Sequence, residues 1–220
     1  MTTQKPSNST IQEKLSLIKS KYKSSLDSIA KNIIRSYFVN GDLTDADLKL
    51  PQNDFFQKVR QVTEKSNFQF LTIDHRDSIL EKAYDFFETK EYNLGKVFLA
   101  MFFEHSLNSI IDHACFKRKI SEKVKIEIIK NVNLNGKLTW LLQLLGLPIF
   151  NDNHKKVIIK IADDRNAFIH YKWKPVNMDE RNQETDELKK IKLAVRYMKK
   201  YETTILFQNN KQKLERKLTK

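Results

Sequence analysis

Only four glycines and four prolines occur in 220 residues, and this scarcity limits the fold more than any other feature. Sandwiches and barrels reverse direction every few residues and rely on glycine and proline to do so, whereas long helices need few such positions. Apolar spacing agrees. Leu15, Ile18, Tyr22, Leu26, Ile29, Ile33 and Tyr37 recur every three or four residues, which predicts one long amphipathic helix ending at "NGD", residues 40–42. A polar stretch runs to Pro51, then Phe55, Phe56, Val59 and Val62 mark a shorter helix. The segment "NFQFLTI", residues 67–73, has strand-like content but no evident partner strand. It is expected as an extended connection, because a lone strand leaves its ladder groups unpaired.

Asp74 is placed to cap a helix carrying Ile79, Leu80, Ala83, Phe86 and Phe87. After "TKEYN" a longer helix runs through "LGKVFLAMFFEHSLNSIIDHAC", nearly encircled by apolar residues and therefore expected at the centre of a bundle. Ser121 is placed to cap "VKIEIIK", and "NLNG" leads into "KLTWLLQLLG", closed by Gly146 and Pro148. Asn151 or Asp152 caps the next helix, which holds Val157, Ile158, Ile161, Phe168 and Ile169 and ends before Pro175. Residues 185–207 form the last strong helix. The expected organisation is a disordered start (1–10), an N-terminal helical extension (11–65), a main helical domain (66–207) and a basic C-terminal tail (208–220). Short connections between helices favour antiparallel neighbours, so the fold class is all-α, an up-and-down helical bundle.

Composition narrows function by exclusion. One cysteine, Cys115, rules out a disulfide framework or a thiolate metal cluster from a single chain. No apolar run approaches a membrane span and the first residues lack a leader-like apolar stretch, so a soluble cytoplasmic protein is expected. The net charge is +13, and between Lys189 and Lys220 eleven Lys or Arg stand against two Glu. Such a field attracts polyanions, nucleic acid foremost, although a solvated helix face would read the same way.

Metal and thiol chemistry find little support. His105 and His113 are eight residues apart, two turns rather than the one turn that converges on an ion, and no Glu-x-x-His pair occurs. Glu104, Asn108 and Asp112 form a polar stripe on the most apolar helix. It is either a weak oxygen site, or a face that lines a polar cleft or meets Arg or Lys across the bundle. Cys115 follows Ala114 on that helix and reads as a buried structural thiol. Four glycines cannot build a phosphate-cradling loop.

The remaining feature is "DDRNAFIHYKW", residues 163–173. Either a core helix here happens to carry polar groups, or Arg165 and His170 act together. Asn166 lies beside the arginine, and Tyr171 and Lys172 follow the histidine. Histidine titrates near neutrality and can take a proton from a ribose 2′-hydroxyl or give one to a leaving 5′-oxygen. Arginine stays charged, and its planar fork matches phosphate oxygens. Five residues of α-helix correspond to about 140° of rotation and about 7.5 Å of rise. The two groups therefore do not share a face, and converge through the reach of arginine, a distorted turn, or contributions from two subunits.

The stretch "RNAFIHYKW" resembles the Arg-Asn-x3-His signature of the HEPN superfamily, whose motif is Arg-x4–6-His. The order of segments before it is also similar: "FFEHSLNSIIDHA", then "GKLTWLLQLLGLP", then the motif helix, a likeness covering residues 75–207. The resemblance implies a HEPN-type bundle of four or five helices that forms a homodimer and joins two motifs in one basic cleft. It implies a metal-independent endoribonuclease without cofactor, cutting RNA to a 2′,3′-cyclic phosphate as a toxin or phage-defence (abortive-infection) effector. An antitoxin or regulatory protein is then a further partner. Carried onto this chain, His170 is the general acid or base and Arg165 the phosphate ligand. Asn166 matches the polar residue after the arginine, Glu104 the acidic residue on the second core helix, and Tyr171 and Lys172 complete the polar cluster. Tyr171 directly follows His170, unlike the His-x-Tyr of an adenylylated subfamily, so that regulation is not carried over. A mannitol-operon repressor-like family has a similar "RN-x-F-x-H" helix after an "LGL" turn, which implies the alternative of a non-catalytic module that binds a protein or nucleotide. A third reading is general nucleic-acid binding through the basic C-terminal segment.

Overall fold

A computed structural model describes residue 27 and residues 29–65, 74–170 and 181–219, with the backbone alone at 181–185. The expectations for the first ten residues, for residues 67–73, and for Tyr171 and Lys172 lie outside these. Among the described residues every regular element is helical and none is a strand. The protein is an all-α helical bundle, and no described helix is long and apolar enough to cross a membrane.

The chain divides into two compact units, Met1–Ile73 with Lys213–Lys220, and Asp74–Gln212. In the first, α1 (29–40) ends where Gly41 takes φ 89°, and α2 spans Gln52–Lys65. The polar stretch between them is not featureless. Asp47 accepts from the Thr44 N–H (2.7 Å) and hydroxyl (2.8 Å), and a 3-10 turn, Asp47–Lys49, tucks Leu48 inside. Ile34, Tyr37, Phe38, Leu43 and Phe55 are buried here, together with Leu214 of the C-terminal helix α10 (Lys211–Leu218). Residues 208–219 are therefore not a loose basic tail. Glu215 takes both Nε and Nη2 of Arg35 (2.7 and 2.8 Å), and the Lys217 carbonyl accepts from Gln52 Nε2 (2.7 Å). An apolar residue on one face and a bidentate ion pair fix a segment whose composition reads as solvated.

The second unit holds α3 (Arg76–Glu88), α4 (Tyr92–Lys117), α5 (Glu122–Asn131), the short α6 (Leu134–Gly136) and α7 (Leu142–Leu144), α8 (Asp152–Ile169) and α9 (Arg181–Phe207). Helix α4 is central, as its all-round apolarity predicts: α3, α8 and α9 pack on it, and Leu99, Phe103, Leu107, Ile110 and Ile111 are sealed from solvent. Each such side chain contributes about 1.5–3 kcal/mol by burial. Helix α3 starts one residue later than Asp74 as a cap would place it. His75 is the N-cap, while Asp74 accepts from the Arg76 N–H (3.0 Å) and side chain. Ser121 holds the N-cap position of α5, but its side chain makes no cap hydrogen bond.

The start of α8 is set by two local devices. Helix α7 ends on Gly146 at φ 60°, whose N–H meets the Gln143 carbonyl (2.8 Å) while Leu147 N–H meets Leu142 (2.9 Å). This reversal needs a left-handed residue. Asn151, of the two possible caps, begins α8: its Oδ1 accepts from the N–H groups of Asn153 (3.0 Å) and His154 (3.4 Å). Tyr197 and Tyr201 of α9 brace the connection, Tyr201 donating to the Pro148 carbonyl at 2.5 Å and Tyr197 Oη accepting from Asn151 N–H at 3.2 Å.

Candidate functional site

Helix α8 determines where the two motif residues go. Ile158, Ile161 and Ala162 form its buried stripe, and Arg165 comes next at the same three- and four-residue spacing. Its side chain is accordingly 27% exposed. His170 lies about 120° off that stripe by helical rotation. It is the C-cap residue, exposed, with its backbone N–H on the Asn166 carbonyl at 3.1 Å. Asn166 is exposed too. Among the described residues no hydrogen bond or ion pair joins Arg165, Asn166 and His170 through their side chains. The one chain brings Arg165 to the core side of α8 and leaves His170 at its rim.

Arg165 points instead at the polar stripe of α4. Its Nη2 lies 3.6 Å from Glu104 Oε2, an ion-pair separation but not a hydrogen bond. Its Nε is buried and meets no acceptor among the described residues. A buried guanidinium N–H without an acceptor among the described residues is unusual. Asn108 and Asp112, the next members of the stripe, also face cations: Asn108 Oδ1 accepts from Lys137 Nζ at 2.8 Å, and Asp112 pairs with Lys125. Of the two expectations for this stripe, a face meeting Arg and Lys across the bundle is the arrangement found.

Lys137 is the residue that inspection of the chain overlooks. Asn133 Oδ1 accepts from Gly136 N–H (2.8 Å) and starts a short helical turn. A π-helical turn, Lys137–Leu141, comes directly after it. Lys137 then falls in the apolar stripe of Leu138, Leu141, Leu142 and Leu145, and its side chain is only 2% exposed. Besides Asn108, its ammonium donates to the Ile129 carbonyl at 2.9 Å and stands 4.0 Å from Glu104 Oε1. Burial lowers its pKa below the usual lysine range, and Glu104 partly offsets this. The signal in the sequence is a lysine at a position whose spacing asks for leucine.

Other candidates are structural. Cys115 is buried, and burial together with nearby Asp112 pushes its thiol pKa up, the wrong direction for a nucleophile. His113 has a buried Nδ1 without a hydrogen-bond partner among the described residues, and burial lowers its pKa. In α9 and α10, Lys199 pairs with Asp77 (2.9 Å) and Lys213 with Asp45 (3.1 Å), so some of the basic surplus is locally matched. Hollows lined by described residues lie on the second unit. One of about 390 Å³ involves Lys160, Glu187 and Lys190. Another, about 570 Å³, involves Tyr84, Phe87, Lys192 and Arg196. Neither is lined by Arg165 or His170. Compared with protein families, curated proteins and solved structures, the chain matches no family model, no curated protein and no known structure.

Proposed function

We propose that the protein is a HEPN-type, metal-independent endoribonuclease that acts as a toxin or phage-defence effector. The supporting observation is Arg165: a partly buried guanidinium whose Nε meets no acceptor among the described residues, one helix turn and a half from an exposed histidine. An arginine in that state suits a phosphate, because its fork is oriented and not already saturated by a carboxylate. His170, at the solvent-facing helix end, is placed to exchange a proton with a ribose 2′-hydroxyl or a leaving 5′-oxygen. Attack of that 2′-oxygen on phosphorus expels the 5′-oxygen and leaves a 2′,3′-cyclic phosphate. Since the two residues face different directions on α8, the reading needs a second copy of the chain to bring a His170 to each Arg165. Trp140 and Leu144, one turn apart and 52% and 67% exposed, offer apolar surface for such a homodimer.

The test is cleavage of RNA in EDTA by purified protein, with product ends mapped for cyclic phosphate. His170→Ala and Arg165→Ala are expected to lower the rate by at least about a hundredfold while leaving the melting transition in place. Undiminished cutting by His170→Ala would overturn the assignment. The separation of Arg165 from His170 in one chain also favours a second reading, a non-catalytic helical module that binds a protein or nucleotide through the same polar stripe. That reading expects no cleavage and no toxicity on induced expression, with a partner retained on the wild-type protein and lost from Arg165→Ala.

A further inference from the structure

A lysine ammonium almost without access to solvent is costly unless its charge serves a purpose. Lys137 is fixed by two short hydrogen bonds, to Asn108 Oδ1 and the Ile129 carbonyl, and both acceptors are neutral. Its nearest anion is Glu104, whose Oε1 is 4.0 Å away, while the other oxygen of the same carboxylate is 3.6 Å from Arg165 Nη2. One carboxylate therefore stands between two cations and is in hydrogen-bond contact with neither. Glu104 is itself 40% exposed on a rotatable side chain, whereas the Lys137 side chain is 2% exposed and held by its two hydrogen bonds.

We infer that Lys137 divides the charge of Glu104 and thereby keeps the Arg165 guanidinium open to the phosphate of a bound RNA. Without the buried cation, Glu104 turns both oxygens onto Arg165 in a fork-to-fork pair. That pair occupies the parallel N–H groups a phosphate would use, and the binding group is quenched from within. Lys137 touches no ligand in this scheme. It is a positioning residue that acts through Glu104 and then Arg165. The inference rests on the ribonuclease reading for the identity of the anion, and adds to it the residue that keeps the anion's receptor available.

Affinity for a 2′-O-methyl RNA oligonucleotide tests it, since that probe presents phosphates but cannot be cut. Binding is followed by fluorescence anisotropy at one fixed salt concentration. Lys137→Met removes the charge at similar volume, and Lys137→Gln removes it while retaining an N–H donor for Asn108. Each is expected to weaken binding about tenfold or more, whereas Glu104→Gln alone, which removes the carboxylate that competes with the phosphate, is expected to bind at least as tightly as wild type. The decisive protein is Lys137→Met with Glu104→Gln: once the carboxylate is gone the buried cation is no longer required, and affinity returns to the Glu104→Gln level. A lysine needed only for packing would not be rescued in this way. Wild-type affinity in the Lys137 variants, a double variant as weak as Lys137→Met, or failure of Lys137→Gln to fold would each overturn the inference. If Arg165→Ala binds as wild type does, or wild type does not bind, the fault lies in the ribonuclease reading itself. Arg165-dependent binding indifferent to Lys137 rejects only the role given to Lys137.

Discussion

His113 shows what burial does to a single titrating group in this bundle. Its Nδ1 has no hydrogen-bond partner among the described residues, and its pKa is lowered first by burial and next by Lys117, with Asp112 opposing. Linkage gives the sign of the consequence. The unfolded chain binds the proton near the ordinary histidine pKa, the folded chain only at lower pH, so acidification through that interval favours unfolding. Melting temperature should therefore fall between about pH 7 and about pH 5.5, a range centred on the histidine titration. In His113→Leu this part of the pH dependence should flatten. Parallel curves for the two proteins would place the acid sensitivity in other groups. Arg165 and Lys137 differ in how far the chain alone reveals them. Arg165 sits three residues after Ala162 and four after Ile161, so its place on the buried stripe is set by spacing. Lys137 could be read from the stripe of leucines around it, but a lysine next to a glycine turn ordinarily lies in water. Only the π-helical turn and the waiting Asn108 make its burial intelligible.

Helices are the level at which the chain is most transparent, because an amphipathic pattern depends on neighbours within a few residues. The central place of α4, the Asn151 cap of α8 and the Gly146 stop all arise from local chemistry. The 3-10 turn at Asp47–Lys49 does not, since it rests on Thr44–Asp47 bonding and one buried leucine within a polar run. Close helix packing gives a sharper test. Gly95 of α4 faces the buried Phe87 ring of α3, and a Cβ there would lie 2.9–3.0 Å from three ring carbons. The ring belongs to the core and cannot simply swing into solvent. Gly95→Val is expected to cost about 1–3 kcal/mol through overpacking, despite removing a helix-weakening glycine. Urea unfolding should show a lower midpoint with an unchanged slope. A midpoint at or above wild type would mean that α3 and α4 can separate without loss.

At the scale of the whole chain, the least legible feature is the destination of the C-terminus. Periodic patterns report which face of a helix is apolar, but not which distant segment covers it. Leu214 is fully buried, and its unit-mates Arg35, Asp45 and Gln52 lie more than 160 residues earlier. A basic stretch with so remote a partner reads locally as a tail. The consequence is a stability prediction rather than an electrostatic one. Removal of Lys213–Lys220 takes away Leu214 and the Glu215 partner of Arg35, both belonging to the N-terminal unit. Leu214→Ala alone should cost that unit about 2–5 kcal/mol, and the truncation more. Hydrogen exchange measured residue by residue should show protection lost in α1 and in the buried positions Leu43, Leu48 and Phe55. Protection in α4 and α8, which belong to Asp74–Gln212, should persist. If the truncated chain instead keeps its α1 protection and loses only affinity for RNA, α10 acts as a charged appendage after all. Equal loss in both units would show that the chain unfolds as one cooperative body.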